Sequence, residues 1–221
     1  MTPEGRVLLV EGRDEIHVCQ HLLRAYAIPE CCTLEKQEGV NELLVALPIY
    51  LENTVYQRVG MIVDADESIA RRWQSVRNTL ISLGYLQVPA EPDPDGTIVT
   101  APDEGRPVAG VWIMPDNQAS GMLEDFIRFL VPGGDPLLQH AVSCVEGIPA
   151  VFRRFPEVRR SKAVIHTWLA WQEEPGAPLG LSITKKYLDA GREHGQRFAA
   201  WYRRLFIEAV DSAAGYTQGN P

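Results

Sequence analysis

No stretch of this 221-residue chain approaches the ~20 consecutive apolar residues that a membrane-spanning helix needs. The N-terminus, MTPEGRVLLVEG, lacks the basic head, apolar body and small-residue cleavage site of a secretory signal. Its short apolar run stops at a glutamate and reads as a first strand. Cysteine is scarce. Cys19, Cys31, Cys32 and Cys144 form no CxxC pair, and adjacent Cys31 and Cys32 are poor partners for each other. Neither a zinc site nor a disulfide framework is expected, and a reducing cytoplasm fits. Internal repeats and low-complexity blocks are lacking, as is the phosphate-cradling Gly-x-x-x-x-Gly-Lys-Ser/Thr loop of many ATPases. With 45% hydrophobic and 23% charged residues, the composition excludes wholesale disorder and suits one good core.

Positive charge is short over much of the chain. Residues 1–150 hold 10 Lys+Arg against 22 Asp+Glu, while residues 151–221 hold 11 against 7. A chain that bound nucleic acid by charge alone should be basic throughout. An acidic body with a basic tail suggests carboxylates that hold cations beside a patch that holds phosphates. A solubilising surface is the plainer alternative.

Apolar runs at 6–10, 59–63 and 108–114 have the length and continuity of strands buried on both faces of a parallel sheet. A weaker strand is expected at 31–35. Between them, residues 13–26, 40–52 and 67–83 carry apolar side chains at helical spacing, with Pro48 expected to kink or end the second helix. The Pro-, Asp- and Gly-rich segment 89–107 reads as a loop or hairpin insertion, with TIVT a short edge strand. A helix from Ser120, its expected cap, to about Leu130 follows. This alternation implies an α/β fold, a parallel sheet flanked by helices, over residues 1–132. Helical patterns at about 136–146, 160–173, 183–190 and 194–210 then imply a C-terminal helical extension, 133–221, packed on it. The last residues, SAAGYTQGNP, are expected to fray.

In open α/β sheets, sites form at the carboxyl ends of the strands. Here the apolar strands run directly into acids: Glu11, then Asp64-Ala-Asp66, then Asp116. In extended backbone, Asp64 and Asp66 point to one side, where they repel unless a cation neutralises them. Magnesium takes hard oxygen ligands of this kind. Glu15 lies one helical turn beyond Glu11, and Glu124 and Asp125 sit near the start of a helix. These acids offer enough oxygens for two ions, which could serve phosphodiester cleavage. Acids at helix starts also complement the helix dipole, which by itself accounts for Glu15, Glu124 or Asp125.

The segments VLLVEGRDE and VGMIVDADES, in that order and roughly fifty residues apart, resemble the Glu-Gly and Asp-x-Asp strand ends of the Toprim domain. That metal-binding α/β module is shared by topoisomerases, primases and nucleases of the overcoming-lysogenisation-defect (OLD) type. GVWIMPDNQASGMLEDFI and KAVIHTWLAWQEEPGAPLG further resemble small stand-alone Toprim-like proteins. The resemblance implies that Glu11, Asp64 and Asp66 bind a first Mg2+ (or Mn2+). It implies that Glu15, with Asp116 or Glu124, binds a second. Glu11 and Lys162 are the implied catalytic groups, Lys162 steadying charge in the transition state. Any ATPase partner, as in the nuclease branch, would be a separate chain.

Arg153, Arg154, Arg159 and Arg160 are the candidates for nucleic-acid phosphates, although an exposed basic loop is equally compatible with them. His17 and His21, and Trp168, Trp171 and Trp201 with Arg203 and Arg204, read as packing or surface groups rather than as a metal or base-stacking site. The expected function is therefore a Mg-dependent Toprim-type nuclease or related phosphoryl-transfer protein acting on nucleic acid. One alternative is a non-enzymatic Toprim-like module that binds nucleic acid or a protein partner in a defence or repair assembly. Another is a haloacid-dehalogenase-type phosphatase, because Asp64-Ala-Asp66 resembles its Asp-x-Asp signature, although Ser68 stands where that family usually has Thr or Val. No membrane association is expected, and oligomerisation is left open.

Overall fold

Alternating side chains in the first strand divide the molecule into two cores. In β1 (Arg6–Val10), Leu8 and Val10 enter one buried cluster, while Val7 and Leu9 enter another on the opposite face. The computed structural model describes residues 5–208; the tail SAAGYTQGNP lies outside them. β1 is followed by α1 (Arg13–Ala25), β2 (Thr33–Lys36), α2 (Val40–Glu52), β3 (Arg58–Asp64), α3 (Ile69–Ser82), β4 (Thr97–Val99) and β5 (Val108–Met114). The strands form one sheet in the order β2-β1-β3-β5-β4. All neighbours pair parallel except β4, which runs antiparallel to β5 at the edge.

The remaining helices are α4 (Leu123–Leu130), α5 (Pro136–Glu146), α6 (Arg160–Ala170), α7 (Leu179–Thr184) and α8 (Glu193–Phe206). The chain is thus an α/β protein. Helices α2 and α3 cover one sheet face through Leu43, Leu47, Leu51, Trp73, Val76 and Leu80. On the other face, α1, α4 and the helices after residue 132 share a single buried cluster with Leu8, Ile62 and Trp112 of the sheet. No described helix is long and apolar enough to cross a membrane.

Several local expectations are corrected. Pro48 does not end α2, which continues to Glu52. Leu43, Leu47 and Leu51 are each 2% exposed or less and hold the helix against the sheet on both sides of the proline. Ser120 does not cap α4, which begins two residues later behind Met122. Its hydroxyl instead accepts a hydrogen bond from the Ile69 amide at the start of α3 (3.3 Å). The helix expected at 183–190 lies earlier, at Leu179–Thr184.

Helix α8 reaches the centre of the sheet because two glycines leave room for it. Gly60 of β3 and Gly110 of β5 are register partners. A Cβ at Gly60 would lie 2.8 Å from the Phe206 ring, and one at Gly110 would lie 2.2 Å from Leu205. Glycine inside a central strand weakens it, and its use here is the close approach of another element.

Candidate functional site

β1 and β3 are parallel neighbours, and their carboxyl ends emerge side by side. The Glu11 carboxylate, just beyond β1, accepts a hydrogen bond from the Asp64 amide at the end of β3 (2.8 Å). Glu11, Glu15, Asp64, Asp66 and Glu124 line one cleft of about 430 Å3, together with Asp14, Arg159 and Lys162. Arg13 lines it as well, as do Met122 and Leu123 at the start of α4. The acids therefore come from three stretches of chain, and a fourth brings Arg159 and Lys162.

Asp64 and Asp66 do not share a side through strand pleating, as was expected. β3 ends at Asp64, and Asp66 has left-handed backbone (φ 52°). The turn is held by the Asp66 amide, which donates to Gly121 O (2.8 Å). Both side chains still face the cleft. Asp64 also accepts, through Oδ1, the Leu123 amide in the first turn of α4 (3.0 Å). Anions are favoured at such a helix start.

Two further expectations part from the cleft. Asp116 stands outside it: its Oδ1 accepts the Gln118 and Ala119 amides (3.0 and 2.8 Å), closing a turn, and its Oδ2 is 4.0 Å from His194 Nε2. The reason is that the chain turns immediately after β5, with the Asn117 amide donating back to Ile113 O, and Asp116 serves that turn while the chain reaches the cleft only at Met122. Of the four arginines, Arg159 lines the cleft. Arg153 pairs with Glu157 (3.2 Å), Arg160 pairs with Glu146, and Arg154 is exposed.

Glu124 is the most enclosed of the acids, its side chain 3% exposed. Lys162 Nζ binds its Oε1 at 2.7 Å, and His166 Nε2 is 3.9 Å from the same oxygen. One residue along each helix, the Ser161 hydroxyl donates to Asp125 Oδ1. Asp125 Oδ2 in turn accepts the Met122 amide (3.0 Å). These paired contacts fasten the start of α6 to the start of α4.

The carboxylates raise one another's proton affinity. Burial, and then the charges of Glu11, Glu15, Glu124 and Asp66, push the Asp64 carboxyl well above its usual range. Burial pushes Glu11 up to about 7, although the Asp64 amide and the Arg72 charge oppose this. Glu15 is raised by burial and by Asp14 and Glu124. Burial works against the Lys162 charge, but the hydrogen bond and charge of Glu124, with Asp14 and Asp64, outweigh it and raise the lysine.

Arg72 is a site residue that the sequence did not announce. Its Nε donates to Asp64 O and its Nη2 to Asp66 Oδ2, both at 2.7 Å. It lies six residues beyond Asp66, a spacing with no regular helix or strand meaning, so only the turn explains the pairing. His17 is not part of the cleft, and His21 bonds Thr184 Oγ1 through Nδ1 (2.7 Å). Trp168 and Trp201 are fully buried in the core, and Trp171 is partly exposed near His140.

A family described as "Protein of unknown function (DUF3226)" matches residues 5–207. The chain belongs to the DUF3226 family. Neither a curated protein nor a solved structure matches it. The family description names no activity, and what chemistry this DUF3226 protein can do is set by the cleft.

The donors there are all carboxylate oxygens, which fit a hard divalent cation such as Mg2+ or Mn2+. The crowding of Asp64, Glu11 and Glu15 is the strain such a cation would relieve. Among the described residues, no three His, Cys, Asp or Glu side chains form a ready-made ligand cluster. Their oxygens are turned toward in-chain donors: the Asp64 and Leu123 amides, Arg72 and Lys162.

Proposed function

We propose that the cleft holds a divalent cation through Glu11, Asp64 and Asp66, and that the protein hydrolyses phosphodiester bonds in nucleic acid, as the resemblance to Toprim-type nucleases implies. The observation that carries this reading is the hydrogen bond from the Asp64 amide to Glu11, which joins the Glu-Gly and Asp-x-Asp strand ends in one cleft. When bound, the ion supplies Lewis-acid stabilisation of the phosphoryl oxygen and a more acidic water. Arg159 lines the cleft and meets phosphate there. Lys162 contributes positive charge held in place by Glu124, which suits a group that must stabilise developing negative charge without reorganising. Arg72 orients Asp64 through its carbonyl and Asp66 through its carboxylate. A separate ATPase chain as partner belongs to the same proposal.

The test is nicking of plasmid DNA and cleavage of RNA with Mg2+ or Mn2+, beside calorimetry of ion binding. Asp64→Ala should abolish cleavage. It should also lower ion affinity by more than the roughly 10–100-fold seen for outer partners of a metal site. Full cleavage by Asp64→Ala overturns the reading. The in-chain donors on Glu11, Asp64, Asp66 and Glu124 favour a second reading, a non-enzymatic module that binds nucleic acid or a protein partner; ion binding or nucleic-acid binding without turnover would select it. A phosphatase with Asp64 as nucleophile would instead show a trapped aspartyl-phosphate.

A further inference from the structure

We propose that the Lys162 ammonium occupies the place of a second metal in the cleft, so that the protein takes one divalent ion per chain. This rests on the reading that Glu11, Asp64 and Asp66 hold an ion. A two-ion arrangement would draw its second set of ligands from Glu15, Asp116 and Glu124. Asp116 is outside the cleft, folded into its own turn. Glu124 is already neutralised by Lys162 at 2.7 Å. Of that set only Glu15 is then left, with Asp14 the one other cleft acid outside the first ion's three, and an ion held by them would face the Lys162 ammonium.

Nor is Lys162 a chance surface partner. Its helix is fastened one residue earlier, where Ser161 donates to Asp125, the residue after Glu124. The two contacts run side by side and deliver the ammonium to a carboxylate whose side chain is 3% exposed. A carboxylate so enclosed is costly to leave without a counter-charge. A metal arriving at Glu124 would have to displace the ammonium, and the two positive charges would repel across the cleft. The lysine thus fixes the ion count and supplies permanent positive charge next to the ion.

Manganese titration of the chelator-treated protein, followed by the electron paramagnetic resonance of free Mn2+, counts the ions directly and needs no catalysis. The expected result is one ion per chain for the wild type and for Lys162→Arg, and two for Lys162→Met. Lys162→Gln is the second neutral variant. Its amide keeps a hydrogen bond to Glu124 and preserves the fold if Lys162→Met does not, and it too should bind two. Circular dichroism and thermal unfolding establish that each titrated variant is folded. Two ions on the wild type overturn the inference and leave the cleft a metal site. One ion on both the wild type and a folded neutral variant also overturns it. No ion on the wild type removes the underlying reading as well.

Discussion

Glu11 and Asp64 give the metal-free protein a pH dependence of defined sign. The Glu11 carboxyl rises from 4.5 to about 7 on folding, chiefly through burial. A raised carboxyl pKa favours the folded state while the group is protonated. That contribution is complete below 4.5 and is lost as pH climbs through about 7. Asp64 and Glu15 are shifted in the same direction. Thermal unfolding in the presence of chelator should therefore show a midpoint that falls from about pH 5 to pH 8. Glu11→Gln, which can still accept the Asp64 amide, should flatten the slope; an unchanged slope would contradict this account. The acids themselves were legible in the sequence, because an apolar strand that stops at a carboxylate marks a sheet edge. Arg72 was not, because its pairing with Asp66 depends on a left-handed turn that no local pattern encodes. Asp116 obeyed the strand-end rule in sequence and yet serves a turn, since the rule does not say where the next loop leads.

At the scale of elements, α4 and α6 act as one unit through neighbouring contacts, Ser161 to Asp125 and Lys162 to Glu124. Asp125 also accepts the Met122 amide that opens α4. Asp125→Ala removes both bonds and should cost about 1–3 kcal/mol, the range for losing a helix cap and a partly buried hydrogen bond. Urea unfolding would measure it, and a change below a few tenths would mean that packing alone joins the helices. Ser161→Ala removes one of the two bonds and should cost less. Strands and long helices were readable from periodicity, since β1, α1, α2 and β5 fall where the apolar spacing puts them. The short elements were not. α7 has six residues, too few for its period to show, and its position is set by packing against α1. Pro48 lies inside α2 without ending it, because three buried leucines outweigh one missing amide.

For the whole molecule, the sequence implied a parallel sheet but not the strand order or the antiparallel β4, which depend on pairings between distant segments. Nor did it reveal why residues 60 and 110 lack side chains. Each lies in an apolar run and each would collide with α8 if it carried even a methyl group. Gly110→Ala should destabilise the protein by about 1–3 kcal/mol, the usual cost of overfilling a packed interior. The effect should be larger than that of Gly105→Ala, in a loop where the nearest contact is 3.4 Å. Denaturant midpoints of the two variants decide it. The same pair of bare strand positions bears on synthesis. Leu205 and Phe206 are the plugs for that hollow, and they leave the ribosome after every strand has been made. Until they emerge, the nascent sheet carries an uncovered apolar trough at its middle, so shielding this face from chaperones and neighbouring chains waits for the arrival of α8.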